Sequence, residues 1–397
     1  MTTDKLLLIL IDLFNQGETG MKFVISTQEL NYLINKCQNV VAPQQKATIP
    51  ILSNFLIEAA NDELVITATD LTVGVRCFTE AKILEEGATT LPARRFAQLV
   101  KELTAVNVQV SSDEREMTEI VADSSRFKLN GMKKGEYPSL PNVADATQFK
   151  VAQADLKDML YRTAFAVSRE DNRYVLTGVC MQIANGVATF VGTDGKRLAK
   201  AHLEIGLEAS FSGNYIIPLK AVEEILKNLS DEGEATVFLM QDKIAIEASN
   251  TMVVTKLLSG DFPDIHRVIP QKVEHLLLLH REELMSLLRQ IALFTIDSNH
   301  SVRFTFSDGE LKLTANTMDI GEGKVSMPVN YSGQKLEIAF NPNFFLDILR
   351  HCKNETVTMG ITDAYNPGFI TEHQENISDP QLITPLFILM PMRLNEE

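Results

Sequence analysis

The segment FVISTQEL at Phe23–Leu30 reads as an apolar strand running into a helix. It recurs as FKVAQADL at Phe149–Leu156 and as LLLHREEL at Leu277–Leu284. The period is about 125 residues, well above the roughly 20 to 50 of solenoid units, so the copies are whole tandem domains.

Further landmarks keep the same register. A strand ends in ThrAlaThrAsp at Thr67–Asp70, in GlyThrAsp at Gly192–Asp194 and in ThrAlaAsnThr at Thr314–Thr317. A second helix opens at Pro92, at Pro218 and at Asn341–Pro342. Each then places apolar residues four, seven and eight positions on: Phe96, Leu99 and Val100; Val222, Ile225 and Leu226; Phe345, Ile348 and Leu349. That is one apolar helix face written three times. The first two copies also end alike, GlyGluTyrPro at Gly135–Pro138 and GlyAspPhePro at Gly260–Pro263. The repeat sets domains at 21–143, 149–270 and 274–394, with 1–20 an extension outside it.

Each copy reads strand, helix, several strands, helix, several strands. Turn signals close the strands, AsnAspGlu at Asn61–Glu63, AsnGly at Asn185–Gly186 and AspGly at Asp308–Gly309. The expectation is an α+β domain whose two helices cover one face of antiparallel sheets. Proline in the first turn marks where each second helix starts. The proline-bearing stretches Tyr137–Gln148 and Phe262–Lys272 are the expected linkers. Leu6–Ile11 is a short apolar run, broken by Asp12 and followed by no small-residue cleavage site. It reads as part of an extension or an alternative start rather than a targeting signal.

Apolar residues make up 45% and charged residues 22% of the 397, which is the balance of a globular protein. Cys37, Cys77, Cys180 and Cys352 are scattered, with neither a disulfide framework nor metal spacing, and point to a reducing cytoplasm. No run of eighteen apolar residues offers a membrane span.

Charge divides unevenly. The chain has 37 Lys and Arg against 52 Asp and Glu, a net of −15. The six repeat helices, taken as Thr27–Val40, Ala93–Leu103, Gln153–Ser168, Pro218–Leu229, His280–Leu293 and Pro342–Asn354, hold twelve basic residues against nine acidic ones. Lys36, Arg94, Arg162, Lys220, Arg289, Arg350 and Lys353 are among the twelve. Any one such helix is an ordinary solvated face. Three equivalent pairs on an arc would line a common axis with cations, while the acidic remainder faces outward. Screening over about 8–10 Å would let a polyanion inside feel the lining alone. Lys and Arg without a base-reading motif imply phosphate contact without sequence preference.

Catalytic signals are absent. Asp70 and Asp194 close strands where nucleophilic carboxylates can sit, but the third copy has Thr317, and capping a turn is the simpler role. The histidines show no HxxxH or HExxH spacing, so no metal or other cofactor is implied. No glycine-rich nucleotide loop appears.

Several segments together resemble the bacterial β sliding clamp, the processivity subunit of DNA polymerase III. They are MetLysPhe at Met21–Phe23, IleProIleLeu at Ile49–Leu52, GlyAlaThrThrLeuProAlaArg at Gly87–Arg94, ThrAspGlyLysArgLeuAla at Thr193–Ala199, PheProAsp at Phe262–Asp264 and MetProMetArgLeu at Met390–Leu394. The resemblance spans Met21 to Leu394. It implies three clamp domains per chain, paired head-to-tail in a homodimeric ring around double-stranded DNA, helices inside and sheets outside. It also implies a non-enzymatic role: tethering the polymerase catalytic subunit and other replication and repair proteins, after an ATP-dependent clamp loader opens the ring.

The resemblance carries site residues across by position. A partner-peptide pocket would comprise Leu176, Thr193, Gly195, Arg197, Leu198, Pro263, Arg267, Val268, Tyr365, Pro367, Ile388, Met390, Pro391, Met392, Arg393 and Leu394. An apolar groove with a few polar anchors suits short linear motifs with Leu and Phe side chains. Lys46, Arg94, Arg173 and Tyr174 match DNA-contact positions. Phe127, Leu129, Leu293 and Phe294 match the ring-closing contact between the first and third domains. The other reading of the repeat is a three-domain protein-interaction scaffold without DNA.

Overall fold

A serine and a glutamate start the first helix. The Ser26 hydroxyl accepts the Glu29 amide proton at 3.1 Å, and the Glu29 carboxylate lies within hydrogen-bonding distance of the same hydroxyl. Ser26 is thus a side-chain N-cap, and it marks where strand β1 (Met21–Ser26) becomes helix α1 (Thr27–Cys37). The structure, a computed structural model, describes residues 20–42, 49–296, 300–372 and 380–393. It divides into two compact units, 1–157 with 220–257, and 158–219 with 258–397. The division does not follow the repeat: it falls inside the central copy and shares its strands between the units.

The first unit holds two antiparallel sheets. One has the order β5 (Lys82–Glu85), β1, β7 (Asn107–Ser112), β8 (Met117–Ala122), β9 (Ser125–Asn130). The other runs β10 (Thr147–Ala152), β15 (Glu234–Leu239), β16 (Lys243–Ala248), β17 (Thr251–Lys256), β4 (Val73–Glu80), β3 (Glu63–Thr69), β2 (Asn54–Ala60), β6 (Gly87–Pro92). Helix α1 packs on α2 (Ala93–Glu102) and on β3 and β4. Phe23, Leu30, Leu33, Phe55 and Phe96 are fully buried in this unit. Helix α3 (Gln153–Ala164) begins here, and α4 (Leu219–Asn228) belongs almost wholly to it.

The second unit repeats the plan. Its larger sheet runs β14 (Gly213–Pro218), β11 (Gly178–Ala184), β12 (Val187–Thr193), β13 (Arg197–Glu204), β25 (Leu386–Leu389), β24 (Gly368–Glu372), β23 (Thr356–Ile361), β18 (His275–His280). Its smaller sheet runs β21 (Gly321–Pro328), β20 (Glu310–Thr317), β19 (Val302–Ser307), β22 (Leu336–Phe340). Helix α5 (Arg281–Ala292) packs on α6 (Pro342–Arg350), over a core in which Phe304 meets Phe340 edge-on and stacks on Phe345.

Every repeat thus supplies two half-sheets. Where consecutive repeats meet, the halves fuse into an eight-stranded sheet. Strand β17 pairs with β4, Val253 opposite Val75, and β25 pairs with β13, Phe387 opposite Ala199. Among the described residues, β9 and β21 are the equivalent strands that end their sheets without such a partner.

Three expectations need correction. Pro92 and Pro218 end strands β6 and β14, and only Pro342 lies inside its helix, at the first position. Proline suits the residue before a helix as well, since no amide is needed there. The helices end early, at Cys37, Ala164 and Arg350, each running into a tight turn in which the amide of a buried residue, Val40, Val167 or Cys352, donates to the carbonyl three residues back. Lys353 therefore falls outside α6, and the basic excess of the helices drops to two. The expected linkers are packed parts of the units. Tyr137 is buried with its hydroxyl 3.3 Å from the Asn54 and Thr67 carbonyls, and Ile265 and Ile269 are core residues.

Candidate functional site

In the second unit the turn between β12 and β13 is set by Asp194. One of its oxygens accepts the Lys196 and Arg197 amides at 2.9 and 3.0 Å. Asp70 does the same for Thr72 and Val73 in the first repeat. Both aspartates cap turns, as the simpler reading held. Thr193 closes the turn by donating to the Arg197 carbonyl at 2.6 Å. Gly195 sits at φ +83°, and a Cβ there would lie 2.2 Å from the Arg173 guanidinium, which donates to the Asp194 carbonyl at 2.9 Å. The left-handed backbone favours glycine here, while the exposed guanidinium could move aside.

This turn abuts the carboxyl-terminal strand. Arg197 lies opposite Leu389 and Leu198 opposite Ile388, and the Met390 amide donates to the Lys196 carbonyl at 3.0 Å. Leu198 and Ile388 are buried in one cluster with Ile265 and Ile269, and Val268 packs against its edge. Val268, Arg267 and Pro367 line a cleft of about 310 Å³ together with His266, Ile269, Pro270, Gln271, Lys272, Thr362 and Asn366. Arg267 is exposed and paired with Asp264 at 3.2 Å. Asp363 organises the opposing loop by accepting the Tyr365 and Asn366 amides, and these backbone bonds hold its carboxyl below the usual range. Tyr365 itself is almost fully exposed.

The remaining residues singled out by position are distributed as follows. Leu176 is buried, its carbonyl accepting the Ser168 amide. Pro263 and Arg393 are exposed, Pro391 and Met392 half-buried, and Met390 37% exposed. The Met392 amide donates to Ala339 at 2.7 Å, anchoring the strand's end. Leu394 and Lys46 lie outside the described residues, as does most of the 1–20 extension. Arg94 is exposed on α2, and Tyr174 is exposed beside Arg173 on the short 3-10 segment Asp171–Thr177.

Sequence reasoning missed the surroundings of Arg197. Its guanidinium donates to Asp347 at 2.7 Å and to the Phe165 carbonyl at 3.0 Å, with Asp194 3.2 Å from Nε. The Phe344 and Phe165 rings flank it at 4.6 and 5.3 Å. No spacing signal could have found Asp347, which counted only as one acid on a basic helix. His266, Lys272, Thr362 and Asn366 of the cleft carry no motif either.

At the sheet edges, Phe127 on β9 is 36% exposed and Leu293, just past α5, is 74% exposed. Leu129 is half-buried, and Phe294 packs partly against the core of the second unit. Gly323 on β21 lies beside it: a Cβ there would come within 2.7 Å of the Phe294 ring.

No cluster of three His, Cys, Asp or Glu among the described residues could hold a metal. All four cysteines are buried and form no disulfide, Cys37 and Cys77 lie with their sulfurs 3.2 Å apart, and burial pushes the Cys180 and Cys352 thiols up to about 12. No helix among the described residues is long and apolar enough to cross a membrane.

Comparison with known proteins gives one consistent result. Family models of the DNA polymerase III beta subunit match in order: the N-terminal domain at residues 21–141, the central domain at 150–264 and the C-terminal domain at 266–386. The chain is 58% identical over 377 residues to the beta sliding clamp of Chlamydia pneumoniae, covering 95% of this chain and all of that one. It is 30% identical over 379 residues to that of Vibrio cholerae, covering 94% of this chain and all of that one. Among solved structures, the Pseudomonas aeruginosa sliding clamp bound to griselimycin aligns at a TM-score of 0.88 with 28% identity, over 94% of this chain and 100% of that one. The Bacillus subtilis clamp, at 24% identity, shares the fold at 0.89, over 95% of this chain and 100% of that one.

Proposed function

Because the chain belongs to the bacterial beta sliding clamps, the beta subunit family of DNA polymerase III, we propose that two copies close into a ring that encircles duplex DNA. Members of this family are non-catalytic accessory factors, and so is this chain. The observation that carries the ring reading is the pair of unfilled sheet edges. Within the chain, β17 meets β4 and β25 meets β13. The same junction, continued to the equivalent strands, sets β9 of one copy against β21 of another. Two such junctions satisfy both edges of both copies with one two-fold axis, and the assembly cannot grow further.

The register transfers as well. Val253 faces Val75, so the equivalent Phe127 faces Gly323 of the second copy. Phe127 and Leu129 then pack toward Leu293 and Phe294. Each large apolar side chain buried contributes about 1.5–3 kcal/mol, so every junction gains several kcal/mol.

Processivity then comes from topology. Weak phosphate contacts from Arg94 and its helical neighbours let the ring slide, and closure keeps it on the strand. Lys46, Arg173 and Tyr174 complete the proposed DNA-facing set. The polymerase catalytic subunit and other partners dock short Leu- and Phe-bearing peptides across the cleft beside Arg267, Val268 and Pro367 and along Met390–Leu394. An ATP-dependent loader opens one junction. Griselimycin, bound by the Pseudomonas aeruginosa clamp, is expected to bind this chain as well.

Retention on DNA tests the reading. Loaded onto a nicked circular plasmid, the protein is expected to stay bound through gel filtration and to run off once the plasmid is linearised. Equal loss from both forms would leave a scaffold that does not encircle DNA.

A further inference from the structure

Asp347 uses its two oxygens on two different arginines. One accepts from Arg197 of the peptide pocket at 2.7 Å, and the other from Arg350, three residues along α6, at 2.9 Å. The two ends differ in surroundings. The Arg197 side chain is nearly buried between the Phe165 and Phe344 rings, with its donors committed to Asp194, Asp347 and the Phe165 carbonyl. Arg350 is half-exposed, and its only ion pair among the described residues is with Asp347. It is the last residue of α6, one of the helices proposed to face DNA.

A carboxylate shared between two guanidinium groups holds each less firmly than it would hold one. Asp347 is half-exposed, so its bond to Arg350 is a modest one that a phosphate can compete for. Its bond to Arg197 runs into the interior, where the geometry of the Asp194 turn depends on it. The residue after α6 has contacts that do not use the Asp347 carboxylate: the His351 carbonyl accepts from Arg162 at 3.4 Å, and its ring stacks on Phe165 at 4.0 Å.

We propose that Asp347 is a positioning residue that couples the peptide pocket to DNA: a duplex phosphate taking Arg350 leaves Asp347 wholly to Arg197 and tightens the pocket for peptide. The coupling rests on the sliding-clamp reading of both surfaces. It is reciprocal, so bound peptide favours release of Arg350 toward phosphate by the same factor.

The test measures binding of a fluorescein-labelled peptide Gly-Leu-Ser-Leu-Phe-Gly by polarisation, with and without a 40-base-pair duplex at low salt. Wild-type protein is expected to bind the peptide about two- to fivefold more tightly with DNA present, the scale of one half-exposed ion pair. Arg350→Ala is expected to reach the DNA-bound affinity without DNA and to gain nothing more when DNA is added. Asp347→Asn is expected to weaken binding without DNA and to lose the DNA effect, with a native circular dichroism spectrum at the temperature of the assay. A merely structural role for Asp347 would not make Arg350→Ala bind more tightly than wild type. If the peptide binds but the DNA effect is absent, or persists in Asp347→Asn, the coupling is overturned and the pocket stands. If wild-type protein does not bind the peptide, both the pocket reading and the coupling fail.

Discussion

The closed junctions within the chain and the open edges at β9 and β21 are made of equivalent strands, yet their residues differ where it matters. At the closed junctions Val253 faces Val75 and Phe387 faces Ala199, and all four are buried. At the open edges the equivalents are Phe127, 36% exposed, and Gly323. A large side chain on one edge and none on the other would form a knob and a socket in the proposed pairing of two copies. The third repeat differs once more: Thr317 replaces the turn aspartate, and its hydroxyl donates to the Phe294 carbonyl at 2.7 Å. The turn that caps itself in the first two repeats instead binds the Phe294 backbone in the third, a residue of the proposed closing contact.

The largest effect is expected from breaking the open edge. Phe127→Asp would place an unpaired carboxylate opposite Gly323, and desolvating it costs several kcal/mol. Sedimentation is expected to show monomers, with dimer affinity reduced at least about a thousandfold and circular dichroism unchanged. Gly323→Val fills the socket with the side chain found at the closed junction. Its Cβ would press on Phe294 at 2.7 Å and on Ile291 at 2.9 Å, both adaptable side chains. Overpacking of this kind costs about 1–3 kcal/mol per junction, so sedimentation should give an intermediate loss of dimer.

A closed junction can be strengthened instead. Glu224 on α4 is buried, one carboxylate oxygen lacks any partner, and the nearby Asn228 carbonyl oxygen is also unpartnered. Burial raises the Glu224 pKa, against the pull of Lys227. A carboxyl raised in the folded state costs stability as pH climbs from its unfolded value through the raised one, and that cost persists above. Glu224→Gln is expected to stabilise the monomer by about 1 kcal/mol at pH 8 and to give no gain near pH 4, by thermal melts. Dimer affinity should not move, which separates the two kinds of junction. The smallest effect belongs to Arg94→Ala. It is expected to reduce the salt dependence of DNA binding by about one ion while the dimer stays intact.

Much of this was legible in the sequence, and the boundary of legibility is physical. The repeat fixed the helix faces, because Phe96, Val222 and Phe345 are local patterns read at helical spacing. The turn roles of Asp70 and Asp194 were readable for the same reason. Fusion of half-sheets was not, because β17 and β4 lie about 170 residues apart and strand pairing at that range leaves no periodic trace. Arg197 was reached only through the family resemblance. Asp347, Phe165 and Phe344, which hold it, come from α6 and the end of α3 and share no spacing with it. The packed stretch at Phe262–Lys272 looked like a linker because Pro263 and Pro270 punctuate it, although Ile265 and Ile269 are core residues.

The most direct test of ring closure is a register-specific cross-link. Ser125 on β9 is equivalent to Thr251, which pairs with Cys77, so its partner in the second copy is Val325 on β21. The native cysteines are all buried, which leaves engineered thiols as the accessible ones. The double variant Ser125→Cys, Val325→Cys is expected to oxidise to a doubly linked dimer that resists denaturant and stays on nicked circular DNA in high salt. The shifted pair Ser125→Cys, Lys324→Cys should link far more slowly, since a one-residue slip turns the side chain to the other face. Equal yields from both pairs, or monomers throughout, would contradict closure of β9 on β21.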